Sequence, residues 1–186
     1  MQYIRSRDEL IEYFNLGYRI EYLHFWSHRS KKDNPIGKHC FSQWFSSQFE
    51  VANVAYYTAE HYMMAGKARL FNDIDAFEKI IRTKDPGKAK HLGRTIKGFS
   101  EELWKKNRFD IVVSGNMAKF SQNPKLREFL INTGNRVLVE ASPKDRIWGI
   151  GLAEDDPRAE SPNFWKGLNL LGFALMEVRH QLKESI

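Results

Sequence analysis

Residues 100–141 have the sequence SEELWKKNRFDIVVSGNMAKFSQNPKLREFLINTGNRVLVEA, and the order of elements within this stretch indicates the fold class. Ser100 is a favourable N-cap for a long helix, because its hydroxyl can accept a hydrogen bond from the first helical turn. Asn123-Pro124 opens a second helix and Gly134 ends it, since proline suits the first helical position and glycine the position after the last. Residues 136–141 carry β-favouring apolar side chains, so they predict a short strand.

The other elements are predicted from capping residues and short apolar runs. Ser6 followed by Glu9 has the spacing of a capping box and predicts a first helix over about 7–16. Thr58 is a predicted N-cap for a helix at about 59–71, and Asp85-Pro86 opens a helix at about 86–95. An apolar stripe predicts a closing helix at 167–182. Aromatic and β-branched runs predict strands at 22–27, 49–52 and 54–57, the last two joined by a turn at Asn53, and a polar loop is predicted at 31–37.

The balance of these elements predicts an α+β fold, mostly helical with a few short strands. An alternating βαβ architecture is not expected, because the predicted helices and strands do not alternate along the chain. The sequence contains no repeat, low-complexity tract or Gly/Ser-rich linker. We therefore predict a single domain spanning residues 1–186, with its core at about 20–183.

The composition is that of a globular protein. Of the 186 residues, 42% are hydrophobic and 28% charged, and no apolar run approaches the roughly 18 residues that cross a bilayer. The first residues, MQYIRSRDELIEY, carry charges where a secretory signal would need an apolar stretch. The one cysteine, Cys40, can form neither an internal disulfide nor a thiolate zinc site alone. These features predict a cytoplasmic protein that makes no membrane contact.

Positive charge is concentrated in the middle of the chain. Residues 79–127 contain 13 Lys or Arg against 4 Asp or Glu, whereas the chain as a whole has a net charge of +6. Such a segment attracts phosphate groups, either on a small nucleotide or on a nucleic acid. The alternative is a set of solvated helix faces, on which a lysine such as Lys119 would lie at the surface.

Common catalytic motifs are absent. The sequence has no GxGxxG, no GxxxxGK[ST], no HExxH and no GxSxG, and its six histidines do not pair at the spacing of metal ligands. Dinucleotide-dependent oxidoreductases, P-loop enzymes and zinc hydrolases are therefore disfavoured. We expect neither a metal nor an organic cofactor.

Two groups of polar residues are candidates for a site. Glu60 and Lys67 are seven residues apart, so they share one face of their predicted helix, either as part of a site or as a surface stripe. Glu140 and Asp145 precede Trp148-Gly149, an arrangement that suits an acid/base pair beside a flat stacking surface. A purely structural Trp-Gly turn is the alternative for this second group.

Several short motifs, in order along the chain, resemble the NADAR (YbiA-like) family. They cover nearly all of the chain beyond its first 20 or so residues and are FSQWF (41–45), EHY (60–62), KA (67–68), AKF (118–120), EAS (140–142), DRIWGIG (145–151), WKGLNLLG (165–172) and LMEVR (175–179). An ordered set of this kind is far more specific than any single motif. In one place the chain departs from the family: the usual Phe-Ser-Asn-Phe is Phe41-Ser42-Gln43-Trp44 here, which alters one wall of the implied site.

The resemblance implies an enzyme that hydrolyses the N-glycosidic bond between a base and a ribose that carries phosphate. Because the spacings of metal ligands are missing from the sequence, we expect this reaction to be metal-independent. One implied substrate class is the phosphoribosylamino-pyrimidine intermediates of riboflavin biosynthesis. An alternative activity is removal of ADP-ribose from guanine bases of DNA or RNA, in which case ADP-ribosylated nucleic acid is the partner. A second alternative is a module that binds ADP-ribose or a nucleotide without catalysis.

The resemblance also implies roles for individual residues. Glu60 and Asp145, with Glu140, are the implied catalytic carboxylates, one stabilising a ribosyl cation and another orienting water. Lys67 would bind phosphate or protonate the leaving base. The implied substrate-binding residues, which would stack on the base or hydrogen-bond ribose and phosphate, are Phe41, Ser42, Trp104, Arg108, Lys119, Trp148, Gly149 and Asn169.

Overall fold

A computed structural model of the chain describes residues 4–29 and 36–184, so most of the loop predicted at 31–37 lies outside the described residues. The described part contains seven α-helices and four short strands. The helices are α1 (Arg7–Asn15), α2 (Ala59–Leu70), α3 (Ile74–Arg82), α4 (Pro86–Arg94), α5 (Glu101–Gln122), α6 (Pro124–Ile131) and α7 (Leu170–Glu184). The strands are β1 (Tyr22–Phe25), β2 (Phe49–Val51), β3 (Val54–Tyr56) and β4 (Val137–Glu140). None of the described helices is long and apolar enough to cross a membrane.

The chain divides into two compact units. The first is built from the chain up to Ser42 and from Lys125 onward, and the second is Gln43–Pro124. The first unit holds α1, β1, β4, α7 and most of α6, and the second holds β2, β3 and α2 to α5. The observed mixture of helices and short strands confirms the predicted α+β class, while the single domain stays a prediction.

In the first unit a parallel pair of strands supports the closing helix. Strand β1 pairs with β4 in parallel, with Tyr22 opposite Val137 and Phe25 opposite Glu140. Helix α7 packs on β4. The approach is close at Gly172, where a Cβ atom would collide with the carbonyl oxygen of Leu138. A glycine at this position therefore lets the helix rest directly on the strand backbone.

In the second unit, three helices pack around α2, and a short hairpin precedes it. Strands β2 and β3 pair antiparallel across a turn in which Ala52 and Asn53 both have positive φ, as in the tight turns that suit the twist of a hairpin. Helix α2 contacts α3, α4 and α5. At Gly66, a Cβ atom would lie 2.7 Å from Cγ2 of Ile111 on α5, so the missing side chain allows α2 and α5 to approach closely.

The structure confirms the predicted caps and corrects several element boundaries. The hydroxyls of Ser6, Thr58 and Ser100 accept hydrogen bonds from the first turns of α1, α2 and α5. Helix α3 was missed, although Asp73 caps it by accepting from the amide of Ala76.

Strand β1 ends at Phe25 rather than at residue 27. Beyond it Trp26 is exposed and Ser27 has a positive φ, which does not continue a strand. The closing helix begins at Leu170 rather than at residue 167. The reason is that Asn169 has a φ of +54°, a left-handed conformation that a right-handed helix cannot include.

Candidate active site

The buried face of α5 carries polar groups where a helix in a globular protein usually carries apolar ones. Its buried residues recur every three or four positions and are Trp104, Arg108, Val112, Gly115, Asn116, Lys119 and Phe120. Lys119 is 0% exposed, so the alternative of a solvated helix face is wrong at this position. Its Nζ lies 5.6 Å from the ring centroid of Phe45 and 5.2 Å from that of Phe120. An interior ammonium within 6 Å of two aromatic ring centroids has the geometry of a cation–π contact, and a substrate-binding role for Lys119 stays a prediction.

Arg108 is the second buried cation on this face. Its side chain is 7% exposed, and its guanidinium makes no hydrogen bond or ion pair with any residue that the structure describes. A guanidinium carries five N–H donors and is charged at every physiological pH. A bidentate oxyanion such as phosphate would satisfy these donors.

Glu60 lies at the second position of α2, with its side chain 2% exposed. Its backbone N–H donates to the carbonyl oxygen of Gln43 at 2.9 Å, which ties the start of the helix to the segment that precedes the hairpin. The positive end of the helix dipole favours a carboxylate in this first turn. The arrangement therefore holds a buried carboxylate in a defined position.

Gln43 and Asn116 form a buried pair of amides that the sequence did not reveal. Gln43 Nε2 donates to Asn116 Oδ1 at 3.2 Å, and Asn116 Nδ2 donates to the carbonyl oxygen of Val112 at 2.9 Å. Gln43 entered the sequence analysis only as a departure from the family motif, and Asn116 did not enter it at all. A signal existed, since Asn116 is three residues before Lys119 and eight after Arg108, which places it on the same helix face.

Lys67 and Trp104, both predicted site residues, are brought together. Lys67 Nζ lies 5.4 Å from the ring centroid of Trp104. Burial lowers the pKa of Lys67, and the nearby Glu101 carboxylate partly opposes that shift. Glu60 and Lys67 both lie on α2. Their separation of seven residues corresponds to about 10 Å along the helix axis.

In the first unit, Asn169 holds the end of β4. Its Oδ1 accepts from the Glu140 amide at 2.9 Å and its Nδ2 donates to the Leu138 carbonyl oxygen at 2.9 Å. The side chain is completely buried and the residue has a φ of +54°, a conformation that asparagine tolerates better than most residues. Both the oxygen and the NH₂ group of the Asn169 side chain thus form hydrogen bonds with backbone groups. A substrate-binding role for Asn169 stays a prediction.

Asp145 also makes local bonds. Its Oδ1 accepts from the amides of Ile147 and Trp148, each at 2.8 Å, which is the pattern of an Asx turn. This pattern accounts for an aspartate here on structural grounds. A catalytic role for Asp145 stays a prediction.

Gly149 packs against the carboxyl end of β4. A Cβ atom at this position would lie 2.8 Å from the carbonyl oxygen of Glu140, and the Gly149 carbonyl accepts from the Asn169 amide at 3.2 Å. The structure therefore brings Glu140, Gly149 and Asn169 together, with Asp145 and Trp148 in the turn between them. The Glu140 and Trp148 side chains are half-buried.

Phe41 is a core residue of the first unit. It is fully buried, with ring centroids 5.5 Å from Phe25 and 5.3 Å from Phe129. Ser42 follows it and is half-buried. A contact of either residue with substrate stays a prediction.

The predicted site residues thus fall into two groups, one in each compact unit. The second unit holds Glu60, Lys67, Trp104, Arg108 and Lys119, and the first holds Phe41, Ser42, Glu140, Asp145, Trp148, Gly149 and Asn169. The residues that the structure describes include no group of three or more His, Cys, Asp or Glu side chains able to hold a metal. Cys40 is buried and is not in a disulfide.

Comparison with known proteins identifies the family. The profile of the NADAR domain matches residues 24–183. The chain is 48% identical over 153 residues to a protein named N-glycosidase from Acanthamoeba polyphaga mimivirus, a match that covers 80% of this chain and 90% of that protein. It is 35% identical over 136 residues to the chloroplastic riboflavin biosynthesis protein PYRR of Zea mays, covering 69% of this chain but 20% of that protein.

A third relative and its solved structure give the same result. The chain is 32% identical over 142 residues to N-glycosidase YbiA of Escherichia coli K12, covering 76% of this chain and 80% of that protein. The NMR structure of E. coli YbiA matches with a TM-score of 0.69 at 27% identity, over 90% of this chain and 88% of that one. From the profile, the relatives and the structure together, the chain belongs to the NADAR domain family.

Proposed function

We propose that this protein is an N-glycosidase that hydrolyses the bond between the base and the ribose in phosphoribosylamino-pyrimidine intermediates of riboflavin biosynthesis. Two relatives named N-glycosidase, which the chain matches over most of their lengths, support the reaction class. The plant relative, matched over a small part of its length, is named for riboflavin biosynthesis and supports the substrate class.

The observation that carries the proposal is the buried carboxylate of Glu60 in the first turn of α2. Breaking a C1′–N bond develops positive charge on the ribosyl ring. A carboxylate fixed in a site of low dielectric stabilises that charge far more than it would in water, and it needs no reorganisation during the reaction. The proposed role of Glu60 is therefore to stabilise the ribosyl cation.

The phosphate of the substrate is assigned to Arg108 and Lys119. Both cations lie on the buried face of α5, and the Arg108 guanidinium makes no hydrogen bond or ion pair with a described residue. Charge-assisted hydrogen bonds from a guanidinium to phosphate are short and strong. A phosphorylated ribose would thus supply the negative charge that this face attracts.

Lys67 is the proposed general acid for the leaving base. Burial lowers the pKa of Lys67, which makes its ammonium a better proton donor. Trp104, whose ring lies beside this lysine, is the proposed stacking surface for the base. Water activation is the role proposed for Glu140, with Asp145 as the alternative.

A second candidate activity is removal of ADP-ribose from guanine in DNA or RNA. Exposed cations on α4 and α5, including Lys88, Arg94 and Lys106, favour it, because a polymer would need positive charge outside the pocket. Binding to such a substrate would weaken steeply with added salt. A non-catalytic binding module is the third candidate, and it would bind without turnover.

Incubation of the purified protein with both substrate classes tests the proposal. We expect mass spectrometry to detect free aminopyrimidine and ribose 5-phosphate from the small substrate, with no added metal. Release of ADP-ribose from modified guanine alone would establish the second activity. Binding of either substrate without any product would overturn both enzymatic proposals. We also propose a cytoplasmic location for the protein.

A further inference from the structure

The orientation of the Gln43 amide follows from the hydrogen bonds around it. A backbone carbonyl can only accept, so the group of Asn116 that faces the Val112 carbonyl oxygen must be its NH₂. The Asn116 oxygen then faces Gln43 and requires a donor. Gln43 must therefore present its own NH₂ to Asn116, which is the observed bond at 3.2 Å. Reversing either amide would set two donors or two acceptors against each other.

Among the described residues, this chain of hydrogen bonds leaves one buried hydrogen-bond acceptor without a donor. Gln43 Oε1 is buried and accepts no hydrogen bond from any residue that the structure describes. The Gln43 side chain is 7% exposed and Asn116 is 0% exposed, so bulk water does not substitute for a donor. A buried acceptor without a donor is costly, and native proteins rarely keep one without a reason.

The surroundings of Gln43 connect this acceptor to the proposed reaction. The Gln43 carbonyl oxygen accepts the backbone N–H of Glu60, so the same residue that presents the unmet acceptor also anchors the start of α2. Asn116 lies on the α5 face that carries Arg108 and Lys119. The acceptor thus belongs to the cluster of buried polar groups in the second unit.

We propose that Gln43 Oε1 accepts a hydrogen bond from an N–H or O–H group of the bound substrate, and that Asn116 sets the direction of this acceptor. The inference rests on the proposed function and adds a determinant of specificity to it. Two substrate groups have the required chemistry, an exocyclic amine of the base and a ribose hydroxyl. Gln43 contacts substrate in this scheme, whereas Asn116 is a positioning residue that acts through Gln43.

Three substrates, compared in two pairs that share the parent compound, distinguish the two sources of the donor. The first pair is the aminopyrimidine ribosyl phosphate and its analogue with the exocyclic amine replaced by hydrogen. The second pair is the same parent compound and its 2′-deoxy analogue. For the wild-type protein we expect kcat/KM to be roughly 5- to 100-fold lower for the one analogue that lacks the donor, because Gln43 Oε1 is then left without a partner.

Gln43→Met removes the acceptor and keeps a side chain of similar length. We expect this variant to lose activity on the parent compound and to show a parent-to-analogue ratio close to 1. Asn116→Ala keeps the Gln43 amide but no longer fixes its orientation. The parent-to-analogue ratio of kcat/KM should therefore fall only part of the way from the wild-type value toward 1. Gln48→Met, at an exposed glutamine, is the matched control and should keep the wild-type ratio. If Gln43→Met does not fold, Gln43→Asn serves instead, because it withdraws the amide oxygen by one methylene and should also lower the parent-to-analogue ratio toward 1.

Two results would overturn the inference. One is an equal loss on all substrates in Gln43→Met, which would indicate a structural role. The other is no change at all, which would indicate an interior water as the donor. If the wild-type protein cleaves none of the compounds, the proposed N-glycosidase activity fails, and the same ratios taken from dissociation constants still test Gln43.

Discussion

Lys67 Nζ lies 4.2 Å from the ring centroid of Phe99 and donates a hydrogen bond to the Gly93 carbonyl oxygen at 2.9 Å. The carbonyl and the ring favour the charged ammonium, whereas burial favours the neutral amine. Burial is the larger effect, so the pKa of Lys67 lies below the usual lysine value. The hydrogen bond to Gly93 and the contact with Phe99 hold the Lys67 ammonium in a defined position.

The first prediction concerns the pH dependence of stability at Lys67. Between the lowered pKa of the folded protein and the usual value of the unfolded chain, the unfolded state binds more protons. The free energy of unfolding should therefore rise with pH in that range, and it should not depend on this group at lower pH. Urea unfolding of wild type and Lys67→Met at several pH values between 7 and 10 measures the difference, with Lys106→Met as the exposed control. A difference that is flat with pH would contradict the lowered pKa.

The second prediction is that Glu60 acts in catalysis. Glu60→Gln keeps the size of the side chain but removes its charge, so single-turnover rates should fall roughly 100-fold or more. If Glu60 only complements the helix dipole, the loss of stability should be about 1 kcal/mol or less, with turnover nearly intact. Glu102→Gln is the matched control, because Glu102 holds the same second position in α5 and is exposed. A folded Glu60→Gln protein with the wild-type rate would exclude Glu60 and favour Glu140.

The third prediction assigns phosphate to Arg108. Loss of a charged hydrogen bond costs about 1.5–3 kcal/mol, so Arg108→Met should raise KM for the phosphorylated substrate roughly 10- to 100-fold. The dephosphorylated nucleoside should be affected much less. Stability should stay constant or increase, because a buried charge is removed. Steady-state kinetics and melting curves with Lys106→Met as control measure this, and an equal effect on both compounds would argue against phosphate binding.

The fourth prediction is that Asn169 is needed for folding stability. Asn169→Leu would leave the Glu140 amide and the Leu138 carbonyl without their partner, at a cost of about 2–5 kcal/mol. Asn163→Leu, which removes an exposed side-chain bond to Asn15, should cost about 0.5 kcal/mol or less. Urea unfolding compares the two. A small loss in Asn169→Leu together with a large increase in KM would instead support the substrate-binding role.

The fifth prediction is that catalysis does not require a metal. The described residues offer no cluster of metal-binding side chains, and the proposed chemistry uses carboxylates and cations of the chain itself. Turnover should be unchanged after dialysis against EDTA. Activity that disappears with EDTA and returns with a divalent ion would show that a metal takes part.

The local features of the fold were predictable because they depend on neighbours in the chain. Thr58 and Ser100 cap their helices as expected, and the turn at Asn53 joins two strands as expected. Helix α3 was missed although its cap, Asp73, is also local. The order of short motifs along the chain was sufficient to predict the family, since it does not depend on packing.

Candidate site residues were only partly predictable. The spacing of Glu60 and Lys67 identified α2 as a helix that carries polar groups, and the structure adds that Glu60 is buried and that Lys67 lies beside Trp104. The burial of Lys119 was not predictable, because a lysine in a basic segment usually lies at the surface. Its aromatic neighbour Phe45 is more than 70 residues away in the chain.

By itself, the sequence determined the helix caps, the hairpin turn, the α+β class and the family, because these depend on residue types and short spacings. Only the tertiary structure decided the parallel pairing of β1 with β4, the burial of Lys119 and the bond between Gln43 and Asn116. Each of these joins or encloses residues far apart in the chain. Burial and the direction of an amide depend on every neighbour that packs around it, and no local pattern specifies those neighbours.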